Sequence, residues 1–137
     1  MNHGGTEITE AVIGAAIEVH RHLGPGLLES IYEAALAFEL SERGLAVERQ
    51  KPVPLAYKGL KFDEGFRIDL LVAGEVVVEL KCVDAVLPIH EAQVLSYLKL
   101  AGLRTGLLLN FKSPVLKQGI KRFVNLSSVL SVPRWFN

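Results

Sequence analysis

The hydrophobic pattern of this 137-residue chain predicts an α/β domain with a mixed central sheet flanked by helices. Three observations lead there. The apolar period changes from helical spacing to a period of two near residue 45. A strand–helix–strand unit occupies residues 75 to 111. Turn-forming residues fall where the pattern changes, at Gly24-Pro25-Gly26, Gly44, Ala73-Gly74 and Gly102. The predicted element order is α-α-β-β-β-α-β.

Ile8, Val12, Ala16 and Val19 recur at helical spacing behind Thr6, a residue suited to an N-cap, and the pattern ends at Gly24. A second helix is expected from about Leu27 to Arg43, with the apolar stripe Leu28, Ile31, Tyr32, Ala35 and Phe38 and with Gly44 as its terminating glycine. Val47–Gln50 and Val53–Tyr57 then read as one strand interrupted by Pro52 and Pro54, which puts it at a sheet edge. Leu60–Val72 and Glu75–Cys82 form a hairpin about Ala73-Gly74. After Pro88 a third helix runs from Ile89 to about Ala101. Thr105–Phe111 is expected to lie parallel to Glu75–Cys82, because a helical crossover joins parallel strands. Ile120–Leu126 adds a last short strand.

Length and composition bound the answer. Half the residues are hydrophobic and 22% are charged, which excludes a disordered chain and suits a single domain over residues 1–137. The apolar runs Val76–Val78 and Leu107–Leu109 are far too short to cross a bilayer. Met1-Asn2-His3-Gly4-Gly5 lacks the basic start and apolar stretch of a signal peptide, and Cys82 is the lone cysteine, so a reducing, cytoplasmic location is expected. A formal net charge of zero argues against avid, purely electrostatic nucleic-acid binding. The densest basic cluster is Lys112, Lys117, Lys121 and Arg122, which also reads as a solvated surface.

The hairpin carries the chemistry. Phe66, Ile68, Leu70 and Val72 are expected on one face, with Arg67, Asp69 and Leu71 opposite. On the next strand Val76, Val78 and Leu80 share a face, and Val77, Glu79 and Lys81 share the other. Keeping the apolar faces together demands an odd loop, most simply Val72-Ala73-Gly74 with Gly74 left-handed. Asp69, Glu79 and Lys81 then fall on one face of adjacent strands. Two half-buried carboxylates repel unless a cation compensates them, and hard oxygen ligands suit Mg²⁺ or Mn²⁺. Such an ion activates water and polarises a phosphodiester, and an ammonium two residues from Glu79 offsets developing charge. The same residues also read as a cross-strand ion pair.

Asp69 followed by Glu79-Leu80-Lys81 resembles the D…(D/E)-x-K signature of the PD-(D/E)XK nuclease superfamily. Gly26-Leu27-Leu28-Glu29-Ser30-Ile31-Tyr32 matches the G-x-x-E-x-x-Y motif of the GxxExxY family assigned to it, and Gln93-Val94-Leu95-Ser96-Tyr97 resembles the Q-x-x-x-Y helix motif of the exonuclease-like branch. The three motifs appear in the family's order, within a resemblance running from about residue 7 to 126. The resemblance implies a restriction-endonuclease-like core and metal-dependent phosphodiester hydrolysis, but no particular substrate; nucleic acid is expected, DNA ahead of RNA. It implies Asp69, Glu79 and Lys81 as catalytic residues, Glu29, Asp69 and Glu79 as metal ligands, and Gln93 and Tyr97 as substrate contacts. The proline that often precedes the first acid is missing, since Arg67-Ile68 stands there.

Each motif also has a reading without catalysis. Glu29 suits a helix N-terminus, Gly26 suits a turn, and Tyr32 and Tyr97 suit packing. His20 and His22 sit at a helix end, where solvent exposure is expected, and His90 suits a cap or solvent. Cys82 is expected as a small buried apolar side chain. The alternative function is a catalytically silent nucleic-acid-binding or protein-interaction module on the same fold, with a homodimer letting two weak basic patches act together.

Overall fold

The computed structural model describes residues 4–126; the outer ends of the expected 1–137 domain lie outside the described residues. The elements are α1 (Gly4–Leu23), α2 (Glu29–Glu42), β1 (Val47–Tyr57), β2 (Leu60–Val72), β3 (Val76–Lys81), α3 (Pro88–Ala101), β4 (Thr105–Asn110), a 3-10 turn at Leu116–Gly119 and β5 (Ile120–Val124). The strands form one mixed sheet in the order β1-β2-β3-β4-β5. β3 and β4 are parallel across the α3 crossover, and the other neighbours are antiparallel. This is the expected restriction-endonuclease-like architecture.

Helices cover both faces of the sheet. On one, Val12, Ala15, Ala16 and Val19 of α1 and Tyr32, Leu36 and Leu40 of α2 pack on Leu70, Val72, Val76, Val78, Leu80, Leu107 and Leu109. On the other, Val94, Leu98 and Ala101 of α3 cover Leu71, Val77 and Leu108. The unbroken apolar runs of β3 and β4 follow from that sandwiching, since a strand buried on both faces needs apolar residues at odd and even positions alike. Among the described residues no helix is long and apolar enough to cross a membrane.

Several local expectations are corrected. Thr6 lies inside α1, which has begun by Gly4, and therefore does not cap it. In α2 the buried stripe is Tyr32, Leu36, Ala37 and Leu40, while Leu28, Ile31 and Phe38 are exposed. The helix carries apolar residues around much of its circumference, and docking against α1 and the sheet selects one stripe from two available. His20 is buried, its Nε2–H donating to the Ser113 carbonyl at 2.8 Å, because the last turn of α1 packs beside a loop 93 residues away. β1 runs through both prolines as an edge strand and shifts register between Val53 and Leu55.

The hairpin loop is odd, as required, but it is Ala73-Gly74-Glu75. Val72 is retained in the sheet by pairing with Val47, and the Ala73 N–H donates to the Ala46 carbonyl, so the turn starts one residue later. Ala73 and Gly74 both take positive φ, 55° and 67°. The resulting register sets Leu71 against Val77 and Leu70 against Val78, which carries Asp69 to the position across from Glu79.

Candidate active site

The ladder between β2 and β3 ends at Leu70 and Val78. Beyond it the two acids bond to each other's strand. The Asp69 N–H donates to Oε2 of Glu79 at 2.8 Å, and the Leu80 N–H donates to Oδ2 of Asp69 at 3.0 Å. Carboxylates thus replace carbonyls as acceptors where the strands part. The side-chain alternation of β2 resets here. Phe66 and Ile68 pack with Leu71 on the α3 side, while Leu70 and Val72 face α1 and α2. The expectation that Phe66, Ile68, Leu70 and Val72 share a face is therefore wrong, because strict alternation holds only in a regular ladder.

Burial is costly for these charges. Glu79 is 4% exposed, and its carboxyl is pushed up to about 8. Burial is the largest cause, followed by repulsion from Asp69, with the Asp69 N–H and Lys81 acting in the opposite direction. Asp69 is half-buried and also raised, first by burial and then by Glu33, against the stabilising Leu80 N–H, Gln50 amide and Lys81 charge. Lys81, half-buried two residues beyond Glu79, is the cation common to both acids.

Glu29 arrives from the other layer. Gly24 and Gly26 turn the chain with φ of 70° and 101°, and extended Leu28 delays the helix until Glu29. Tyr32 locks this turn. Its hydroxyl donates to the Gly24 carbonyl and accepts the Leu27 N–H at 3.1 Å, while its ring stacks on Phe111 with centroids 4.6 Å apart. Glu29 thereby sits at a helix N-terminus, which favours a carboxylate. Its pKa is nonetheless raised, first by burial, next by Asp69 and also by Glu33, with Lys81 opposing. The G-x-x-E-x-x-Y spacing thus joins a turn, an acid and the hydroxyl that clamps the turn.

From α3, Gln93 hydrogen-bonds Tyr97 one helical turn on, and the charges of Glu79 and Asp69 reach the Tyr97 hydroxyl. That hydroxyl is raised first by burial and then by the two acids. The Tyr97 ring stacks on Phe66 at 4.3 Å, so the packing reading of this residue holds as well.

Three participants were missed from sequence. Glu33 is buried, accepting from Arg49 at 3.1 Å and from Gln50 Nε2 at 2.6 Å. Gln50 Nε2 also donates to Oδ1 of Asp69 at 3.3 Å. Glu33 stands four residues after Glu29, and that helical spacing is a legible signal. Gln50 has none, since its φ of 50° on a strand is a product of the fold. Asn110 was also missed. It is buried, and its side chain donates to the Val83 carbonyl and accepts the Val83 N–H, fixing the chain just after Lys81.

A family model described as the PD-(D/E)XK nuclease superfamily matches residues 6–123. The chain belongs to the PD-(D/E)XK nuclease superfamily. No curated protein and no solved structure matches it. Superfamily membership suggests nuclease activity.

PD-(D/E)XK nucleases generally use divalent metals. The donor set here fits one in chemistry: Glu29, Asp69 and Glu79 are hard oxygen donors that repel one another and hold raised pKa values, a conflict that a divalent cation relieves. It is not preassembled, for no three His, Cys, Asp or Glu among the described residues stand ready to hold an ion.

Other candidates lie outside this chemistry. The Cys82 thiol is raised, first by burial and then by Glu29, the opposite of an activated nucleophile. His90 accepts the Leu87 N–H at 3.0 Å and serves as a cap. In the C-terminal basic cluster Lys112 pairs with Asp84, Lys121 with Glu91 and Arg122 with Glu10, so these cations are offset locally.

Proposed function

We propose that the chain is a cation-dependent nuclease of the GxxExxY kind that hydrolyses phosphodiester bonds in nucleic acid, DNA in preference to RNA. The observation that carries this reading is the exchange of bonds between the Asp69 and Glu79 carboxylates and each other's strand where β2 and β3 part, with Lys81 acting on both acids and Glu29 coupled electrostatically to each. Glu29, Asp69 and Glu79 would hold Mg²⁺ or Mn²⁺. When bound, such an ion supplies a nucleophilic water at neutral pH and polarises the phosphoryl oxygens.

The chain's own residues do the rest. Lys81 presents an ammonium beside the acid pair and offsets charge that builds on the phosphoryl group. Gln93 and Tyr97 approach the acids from α3, where the Tyr97 hydroxyl and the Gln93 amide are suited to a phosphate or base. The Tyr97 ring is held in place by its stack on Phe66.

The test is purified protein with Mg²⁺ or Mn²⁺ on single-stranded, duplex and branched DNA and on RNA, beside Lys81→Ala. Metal-dependent cleavage lost in the variant is expected. Equal cleavage by both proteins rejects the assignment of Lys81. Absence of cleavage and of Mn²⁺ binding by the unaltered protein rejects the nuclease reading in favour of a silent binding module.

A further inference from the structure

Gln50 is anomalous in three ways at once. It takes φ of 50° within an extended edge strand, a conformation that disfavours any side chain and is uncommon for a long one. The β1–β2 pairing steps over it, from Arg49 opposite Leu70 to Lys51 opposite Ile68. Its side chain is exposed, yet its amide spans two acids, Glu33 Oε1 at 2.6 Å and Asp69 Oδ1 at 3.3 Å. Backbone strain of this kind persists only where surrounding contacts over-determine it, and Glu33 supplies them: buried in α2, it is held in turn by Arg49 from the residue before Gln50.

We infer that Gln50 is a positioning residue that fixes the Asp69 carboxylate, with buried Glu33, itself paired with the exposed Arg49, as its anchor. The inference rests on the reading of Asp69 as a cation ligand and goes beyond it by assigning the residues that orient that ligand. Each oxygen of Asp69 has one donor, Gln50 on Oδ1 from β1 and Leu80 on Oδ2 from β3. The carboxylate is therefore pinned from both neighbouring strands at the point where β2 loses regular pairing. An amide is the group suited to the bridge. It offers two N–H donors to two carboxylates and adds no charge, where Glu would repel both and Lys would compete with the metal. Arg49 offsets Glu33, so anchoring Gln50 does not leave a further bare acid beside Asp69.

Two variants separate the amide from the backbone. Gln50→Gly removes the amide and relieves the positive φ; Gln50→Ala removes the amide and keeps the strain. Both are expected to weaken Mn²⁺ affinity about 10–100-fold by calorimetry, the range typical for residues that orient metal ligands. Both should lower kcat while leaving the KM for an oligonucleotide near its original value. In metal-free protein, amide exchange at Leu80 should accelerate at least about tenfold, while amides elsewhere in the β2–β3 hairpin keep their protection. Retention of Leu80 protection in Gln50→Gly would overturn the inference, whatever the metal data show. If the unaltered protein binds no Mn²⁺, the metal reading fails, and Leu80 exchange alone decides the role of Gln50.

Discussion

Asp69 and Glu79 face each other across two strands, and neither completes the backbone ladder; instead, the Asp69 N–H donates to the Glu79 carboxylate at 2.8 Å. Asp69 returns the contact one residue on, accepting the Leu80 N–H. Two acids placed this way are held together by backbone donors and pushed apart by their own charge. The expected behaviour of the protein follows from that opposition.

The pH dependence of stability has a definite sign. In the folded chain Glu79 titrates at about 8, while the unfolded value is near 4.5. Between those values the native state holds a proton that the unfolded state has lost. The stabilisation is thus complete below about pH 4.5 and disappears as pH rises through about 8. Without metal, the fall should be on the order of a few kcal/mol across this window, and Glu79→Gln should flatten it. Thermal melts from pH 5 to 9 check this, and added Mn²⁺ should restore stability at the alkaline end.

Lys81 is the cation that lowers Glu29, Asp69 and Glu79 together. Lys81→Ala is expected to cut kcat by roughly 100-fold or more. It should also make metal-free protein less stable at pH 8, since the acids lose their internal counter-charge. Cleavage assays and urea denaturation at that pH measure the two effects separately.

Tyr32→Phe keeps the ring stacked on Phe111 and removes only the hydroxyl clamp on Gly24 and Leu27. A loss of about 1–2 kcal/mol is expected. The turn that delivers Glu29 should loosen with it, weakening Mn²⁺ affinity several-fold. Denaturation and calorimetry on one preparation test whether the tyrosine serves the acid as well as the core.

Asn110→Leu should cost about 2–4 kcal/mol, since the N–H and C=O of Val83 both lose a buried partner. The segment after Lys81 is tied down by those bonds, so kcat should fall as well, by an amount that stability alone does not predict. Activity measured well below the melting transition distinguishes the two.

Much of this architecture was legible in the amino-acid sequence because it follows from short-range periodicity. The boundaries of β2 and α3, the parallel pairing of β3 with β4, and the edge position of the proline-bearing β1 all follow from local spacing and turn residues. Asp69 and Glu79 do come together, but through side-chain bonds to each other's strand where the alternation resets, not through the shared apolar face that the hairpin argument takes for granted.

Tertiary structure decided what periodicity leaves degenerate. α2 carries two possible apolar stripes, and only its docking partners chose Tyr32, Leu36 and Leu40 over Leu28, Ile31 and Phe38. Alternation along β2 was assumed to continue through Asp69, but it resets there because side-chain carboxylates take over the backbone bonds. Gln50, Glu33 and Asn110 reach the site from strands and a helix far apart in sequence, so their roles exist only once long-range packing brings those elements together. Sequence spacing singles out the acids and the ammonium, while the contacts that gather and orient them depend on the folded chain.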